Sequence, residues 1–316
     1  MTFAHRAAGA LCLALAATAA PAGEFAYVRE IPAPRPGLVV VDVRPLERCL
    51  EKSIAGARCL PAADFLGPHR RLASWREVLW LLGTAGLRGD ETVLVTGEEP
   101  LERDFVAGLL HLAGQREVHV LAQPLARQLA AGANTGPGSA RGFTRRAVYE
   151  APMRDAHIVL ARELRAMRPA PLLLDGRSEA EYWGETVRAA RGGHLPGAVS
   201  LPAVRLRGAS QTDRPVLPEG SPVAYGHDAV EGIAYYTLLR AGSGVPARVY
   251  VEGWAEWAAD GSLPADSVTH PDRAASAAAA PPASKGPPAW ASIAISVALA
   301  AVAFAAGFLV RQRLSA

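Results

Sequence analysis

Cys49 and Cys59, ten residues apart, are the side chains whose type and spacing most readily suggest chemistry. Such a pair can close a disulfide worth ~2–3 kcal/mol by loop entropy, remain as two thiols, or carry sulfur or redox equivalents. The third cysteine, Cys12, lies inside an alanine-rich apolar run. His227-Asp228 sets an imidazole beside a carboxylate, the pairing of a base with its orienting acid. With His194 it could form part of a metal site, but no third ligand follows at a recognisable spacing, so a solvated loop is expected and no metal or cofactor is assigned. Asp42/Arg44 and Asp175/Arg177 each place an arginine two residues after an aspartate that ends an apolar run. There the carboxylate can accept N–H bonds from the next loop while the arginine pairs with it, a structural role. His194 sits before Leu195-Pro196-Gly197, where its ring can staple the turn to the backbone.

These residues need elements to hold them, and the same order of elements is read twice. Leu38-Val39-Val40-Val41 and Leu172-Leu173-Leu174 are uniformly apolar runs, each followed by Asp, as expected of buried parallel strands. A polar helix start follows, then a Gly-Ala turn into a second short strand (Gly56-Ala57; Gly197-Ala198). A further strand then ends at a loop (Thr92 to Thr96; Pro222 to Tyr225), with a helix after it (Asp104 to Leu112; Val230 to Leu239). Gly114 or Gly242 leads to a last strand (Val118 to Leu121; Arg248 to Val251). Strands alternating with helices predict α/β architecture, a parallel sheet flanked by helices in each of two tandem domains. The predicted domains cover 38–131 and 170–264, joined by a connector over 132–169 whose start is rich in Gly, Ser and Pro.

The chain of 316 residues is half apolar and one-fifth charged, a globular composition with room for two domains. Its 33 basic and 30 acidic residues are interspersed, which argues against a nucleic-acid partner. Residues 1–22 read as a signal peptide: a positive start, an apolar run and Ala20-Pro21-Ala22 as the cleavage site. Residues 290–310 carry no charge and match the ~20 residues of a transmembrane helix, with Trp290 at one end and Arg311 and Arg313 beyond the other. An Ala/Pro-rich stalk over 265–289 precedes it. The globular part is therefore expected on the extracytoplasmic, periplasmic side of the cell membrane, held by a single-pass anchor.

In the second unit, Asp175-Gly176-Arg177-Ser178-Glu179-Ala180-Glu181-Tyr182 and Gly193-His194-Leu195-Pro196-Gly197-Ala198 resemble the opening and the turn of the rhodanese-like sulfurtransferase family. Tyr250-Val251-Glu252-Gly253-Trp254-Ala255-Glu256-Trp257 is similar to its close. The first unit keeps Asp42-Val43-Arg44 and Ser53-Ile54-Ala55-Gly56-Ala57. The resemblance implies a thiolate at the start of the loop after the third strand, where successive N–H groups and a helix N-terminus lower its pKa and cradle an anionic sulfur donor.

Gapless alignment places Gly226 at that position in the second unit and Gly97 in the first. The candidate binding loops are then Gly97, Glu98 and Glu99, and Gly226, His227, Asp228 and Glu231, whose acids would repel thiosulfate or phosphate. The expected function is a membrane-anchored binding or assembly module that has lost sulfur transfer, with an unidentified protein partner on the exported side. The alternative is an exported sulfurtransferase or thiol carrier using Cys49 and Cys59. A structural subunit held by the small residues of the anchor helix is a third reading.

Overall fold

The computed structural model describes residues 24–207 and 215–267. The predicted signal peptide, the predicted anchor helix and all of the stalk beyond Ser267 lie outside the described residues. Among the described residues no helix is long and apolar enough to cross a membrane.

The chain opens with β1 (Phe25–Val28), β2 (Leu38–Asp42) and α1 (Leu46–Glu51). Two short strands follow, β3 (Ser53–Ile54) and β4 (Arg58–Cys59), then α2 (Trp75–Thr84) and β5 (Thr92–Thr96). The first half ends with α3 (Pro100–Leu112), β6 (Glu117–Leu121) and α4 (Leu125–Ala130). Its largest sheet runs β1-β6-β5-β2-β4 and is parallel throughout. β5 is buried along its whole length, which is why its sequence, Thr-Val-Leu-Val-Thr, lacks polar alternation. α2 starts at a reciprocal cap: Ser74 Oγ accepts from the Glu77 N–H while the Glu77 carboxylate accepts from the Ser74 N–H.

The segment predicted as a plain connector contributes structure to both halves. β7 (Thr135–Gly136) pairs antiparallel with β3, and β8 (Ser139–Ala140) adds a sixth strand beside β4. β9 (Ile158–Val159) and α5 (Ala161–Ala166) then begin the second half. It continues with β10 (Leu173–Asp175), α6 (Glu179–Tyr182), β11 (Val199–Ser200) and α7 (Ala203–Arg207). β12 (Val223–Tyr225), α8 (Ala229–Thr237), β13 (Arg248–Tyr250) and α9 (Gly253–Ala259) complete it. The second sheet runs β9-β13-β12-β10-β11, again parallel, and repeats the strand order of the first. The first sheet thus takes two strands the sequence did not predict, β1 from ahead of residue 38 and β8 from the connector, and the second takes one, β9 from ahead of residue 170. The second half also extends past residue 264, because Asp266 pairs backbone to backbone with His194 and its carboxylate accepts the Gly197 N–H.

One apolar core runs from the first half into the second, joining Phe105, Leu109 and Val118 to Ile233, Tyr236 and Val249. α3 and α8 cross closely at Gly108, where a Cβ would lie 2.5 Å from Ile233 Cγ2 and 2.8 Å from the Ile233 carbonyl. Thr237 Oγ1, one turn further on, donates to the Asp104 carbonyl at 2.8 Å.

Candidate functional site

Each parallel sheet presents, at the end of a central strand, an aspartate that organises the neighbouring loops. Asp42 at the end of β2 accepts from the Arg44 N–H, from Arg44 Nε and Nη2, and from Ser53 Oγ at 2.6 Å. Asp175 at the end of β10 repeats this with Arg177, and Tyr225 Oη donates to it at 2.6 Å in place of the serine. Both arginines also donate to a carbonyl in the following turn, Lys52 O and Gly193 O. Burial lowers the Arg177 pKa, but the bonds to Asp175 and its charge outweigh that, and the net shift is upward. Asp42, Arg44, Asp175 and Arg177 are all buried, and each pair ties its strand end to the turn that follows. His194 stacks on the Tyr182 ring with centroids 3.6 Å apart, and its Nδ1 lies 2.8 Å from the Tyr182 carbonyl oxygen.

The loop after β12 carries Gly226, His227 and Asp228, and Glu231 follows in the first turn of α8. Asp228 is the N-cap of α8 and accepts the Glu231 N–H at 3.1 Å. The Glu231 carboxylate turns back and accepts the His227 N–H at 3.2 Å. Arg188 holds Glu231 with two bonds of 2.7 and 3.0 Å and reaches Glu181 with a third of 2.7 Å. Gly226 is enclosed: a Cβ there would meet Gly232 N at 2.6 Å and Glu231 C at 2.7 Å, both backbone atoms. His227 Nδ1 is buried without a hydrogen-bond partner, and Asp228 serves the helix rather than the imidazole. Burial and then Arg188 lower the His227 pKa. The base-and-orienter arrangement suggested by His227-Asp228 is therefore not formed. Among the described residues no three His, Cys, Asp or Glu side chains converge as a metal-ligand set.

In the loop after β5, Glu98 accepts the Ala126 N–H at 3.0 Å, and Arg44 Nη1 lies 3.7 Å from the same carboxylate oxygen. A Cβ at Gly97 would lie 2.7 Å from Val43 Cγ2, and the Gly97 carbonyl accepts from Leu125 N and Arg103 Nη1. Glu99 is exposed at the start of α3. The loop acids predicted to repel an incoming anion thus have a second role: Glu98, Asp228 and Glu231 cap N–H groups themselves. Arg188, which secures Glu231 from 43 positions away, carries no local sequence signal.

Cys49 and Cys59 are joined, with Sγ atoms 2.03 Å apart, and both are fully buried. Gly138 lies directly over the bond, since a Cβ there would be 2.4 Å and 2.5 Å from the two sulfurs. The Gly138 N–H donates to the Cys49 carbonyl at 2.9 Å.

Parallel sheets with helices packed around them, and loops opening from strand ends onto helix N-termini, define the class as α/β. Residues 160–260 match the rhodanese-like domain family. The chain is 33% identical over 183 residues to a thiosulfate sulfurtransferase of Azotobacter vinelandii, covering 52% of this chain and 63% of that one. The chain therefore spans somewhat under two-thirds of that relative's length. Among solved structures, a probable thiosulfate sulfurtransferase is 26% identical with a TM-score of 0.56, over 75% of this chain and all of that one. The anaerobic ergothioneine biosynthesis enzyme from Chlorobium limicola, solved with trimethyl histidine, is 21% identical with a TM-score of 0.60. That match covers 75% of this chain and 66% of the enzyme and shows likeness of fold alone.

Proposed function

We propose that this chain is an exported, membrane-anchored protein of two tandem rhodanese-like units that binds a partner or ligand and does not transfer sulfur. The observation that carries this reading is Gly226. It stands at the nucleophile position assigned from the sequence, offers no thiol, and is packed too tightly against Glu231 and Gly232 for a side chain. The Glu231 carboxylate, held by Arg188, takes the His227 N–H, one of the backbone donors that a sulfur oxyanion would need. The repeated strand order supports two units, with Gly97 at the corresponding place in the first. Export and anchoring rest on the predicted signal and the apolar segment over 290–310.

Sulfur transfer through Cys49 and Cys59 would need a thiolate within reach of the donor. Their burial as a bonded pair stands against that reading. The deciding assay is thiocyanate formation from thiosulfate or mercaptopyruvate and cyanide by the purified full-length chain. No turnover above a buffer control is expected. Turnover that disappears in a Cys49→Ser/Cys59→Ser double variant would sink the proposal in favour of a thiol carrier.

A further inference from the structure

A cavity of about 640 Å³ lies between the two halves, bounded by β1, the start of α3, α7 and the turn after α8. Among the described residues lining it, Arg29, Arg103 and Arg207 are cationic and none is acidic. The carboxylate nearest to this charge is Asp104, which is fully buried and lines no part of the cavity. It is already engaged by Tyr27 Oη at 2.7 Å and by Arg207. Arg103 is only 3% exposed, and its guanidinium donates solely to neutral carbonyls, those of Gly97, Gln123 and Ala122. Burial lowers the Arg103 pKa, and the Asp104 charge only partly restores it. Arg103 is thus bonded to no carboxylate and feels only the carboxylate charges of Asp104, which Arg207 engages, and Glu98, which caps Ala126, while Arg29 adds a third cation at the exposed end. Buried cations persist where a counter-charge meets them. The rest of the wall is largely apolar, with Val28, Leu206 and Leu217 among its side chains.

We propose that this cavity is a binding site for a small organic anion, a carboxylate, sulfonate or phosphate ester with a short apolar body. Its charged group meets Arg29, Arg103 and Arg207, and its body lies against the aliphatic wall. The site is separate from the Gly226 loop and gives the binding function proposed above a ligand class, so it rests on that reading.

The test is calorimetric titration of the full-length chain with benzenesulfonate, and with benzyl alcohol as a neutral control of similar shape, in buffer of about 20 mM ionic strength where screening is weak. The sulfonate is expected to bind at least about tenfold more tightly than the alcohol, a difference of about 1.4 kcal/mol. Arg29→Gln, at an exposed side chain, should weaken the sulfonate by about threefold or more without changing thermal stability. Arg207→Gln should weaken it further. Equal binding of alcohol and sulfonate, undiminished sulfonate binding in both variants, or no sulfonate binding to the unaltered chain would overturn the proposal. A thiocyanate assay on the same preparation separates the two readings: turnover there would refute the non-catalytic loop and leave the titration result as it stands.

Discussion

The Glu231 carboxylate accepts the backbone N–H of His227 at 3.2 Å, so the loop closes on an acid supplied by the helix that follows it. This contact turns an anion-binding geometry inward. Backbone N–H groups at a helix start favour negative charge, and here the charge comes from the chain itself, fixed by Arg188. Arg188→Ala should free Glu231 and raise the exchange rate of the His227 amide, measured by hydrogen–deuterium exchange. Unchanged protection in that variant would mean that Arg188 does not hold the loop closed.

Arg177 is nearly inaccessible, bonded to Asp175 and lying over the Trp254 ring at 4.9 Å. Removing one partner of a buried pair strands the other charge, at a cost of about 3–5 kcal/mol. Arg177→Met should lower the urea midpoint accordingly, with Tyr225 left as the side-chain donor to Asp175. A loss below about 1 kcal/mol would show that the pair is not what organises this strand end.

The bond between Cys49 and Cys59 closes a short loop against the edge strand at Ser139–Ala140. Cys49→Ser/Cys59→Ser should cost ~2–3 kcal/mol by loop entropy, read in chemical denaturation. Rapid reaction of either cysteine with a thiol reagent in the native, unreduced chain would contradict the buried, bonded arrangement.

His111 lies where the halves meet, stacked on Phe25 at 4.3 Å, with Nδ1 at 2.8 Å from Tyr236 Oη. The same hydroxyl is 2.9 Å from His157 Nδ1. Burial, and then Arg154 and Arg240, push the His111 pKa down to about 2. The unfolded chain therefore binds a proton below about pH 6.5 that the folded chain refuses, and stability falls as pH drops through that window. Between pH 7.5 and 5 the loss from His111 should be about 2 kcal/mol, and His111→Asn should flatten the slope. An unchanged denaturation midpoint across that range would refute this.

Much of this arrangement could be read in the sequence because its signals are local. Asp42/Arg44 and Asp175/Arg177 lie two residues apart behind apolar runs, and their pairing follows from that spacing. β5 could be read from the β-branched and apolar run Thr92 to Thr96. β1 and β9 could not: Phe-Ala-Tyr-Val is too short to show a period, and Ile158–Val159 is two residues inside a segment read as linker. Contacts between distant positions were equally out of reach. Arg188 on Glu231, Gly138 over the cysteines, and the three arginines of the inter-half cavity meet only once both sheets have formed. The loop acids were visible, but local sequence does not distinguish a carboxylate that repels a ligand from one that takes a ligand's place.

The most direct test is a crystal of the full-length chain soaked with thiosulfate. Glu231 should stay bonded to His227 and Arg188, no sulfur species should lie on the N–H groups of residues 226–231, and Cys49 and Cys59 should stay joined. A thiosulfate seated on those groups with Glu231 displaced, or a persulfide on either cysteine, would contradict this.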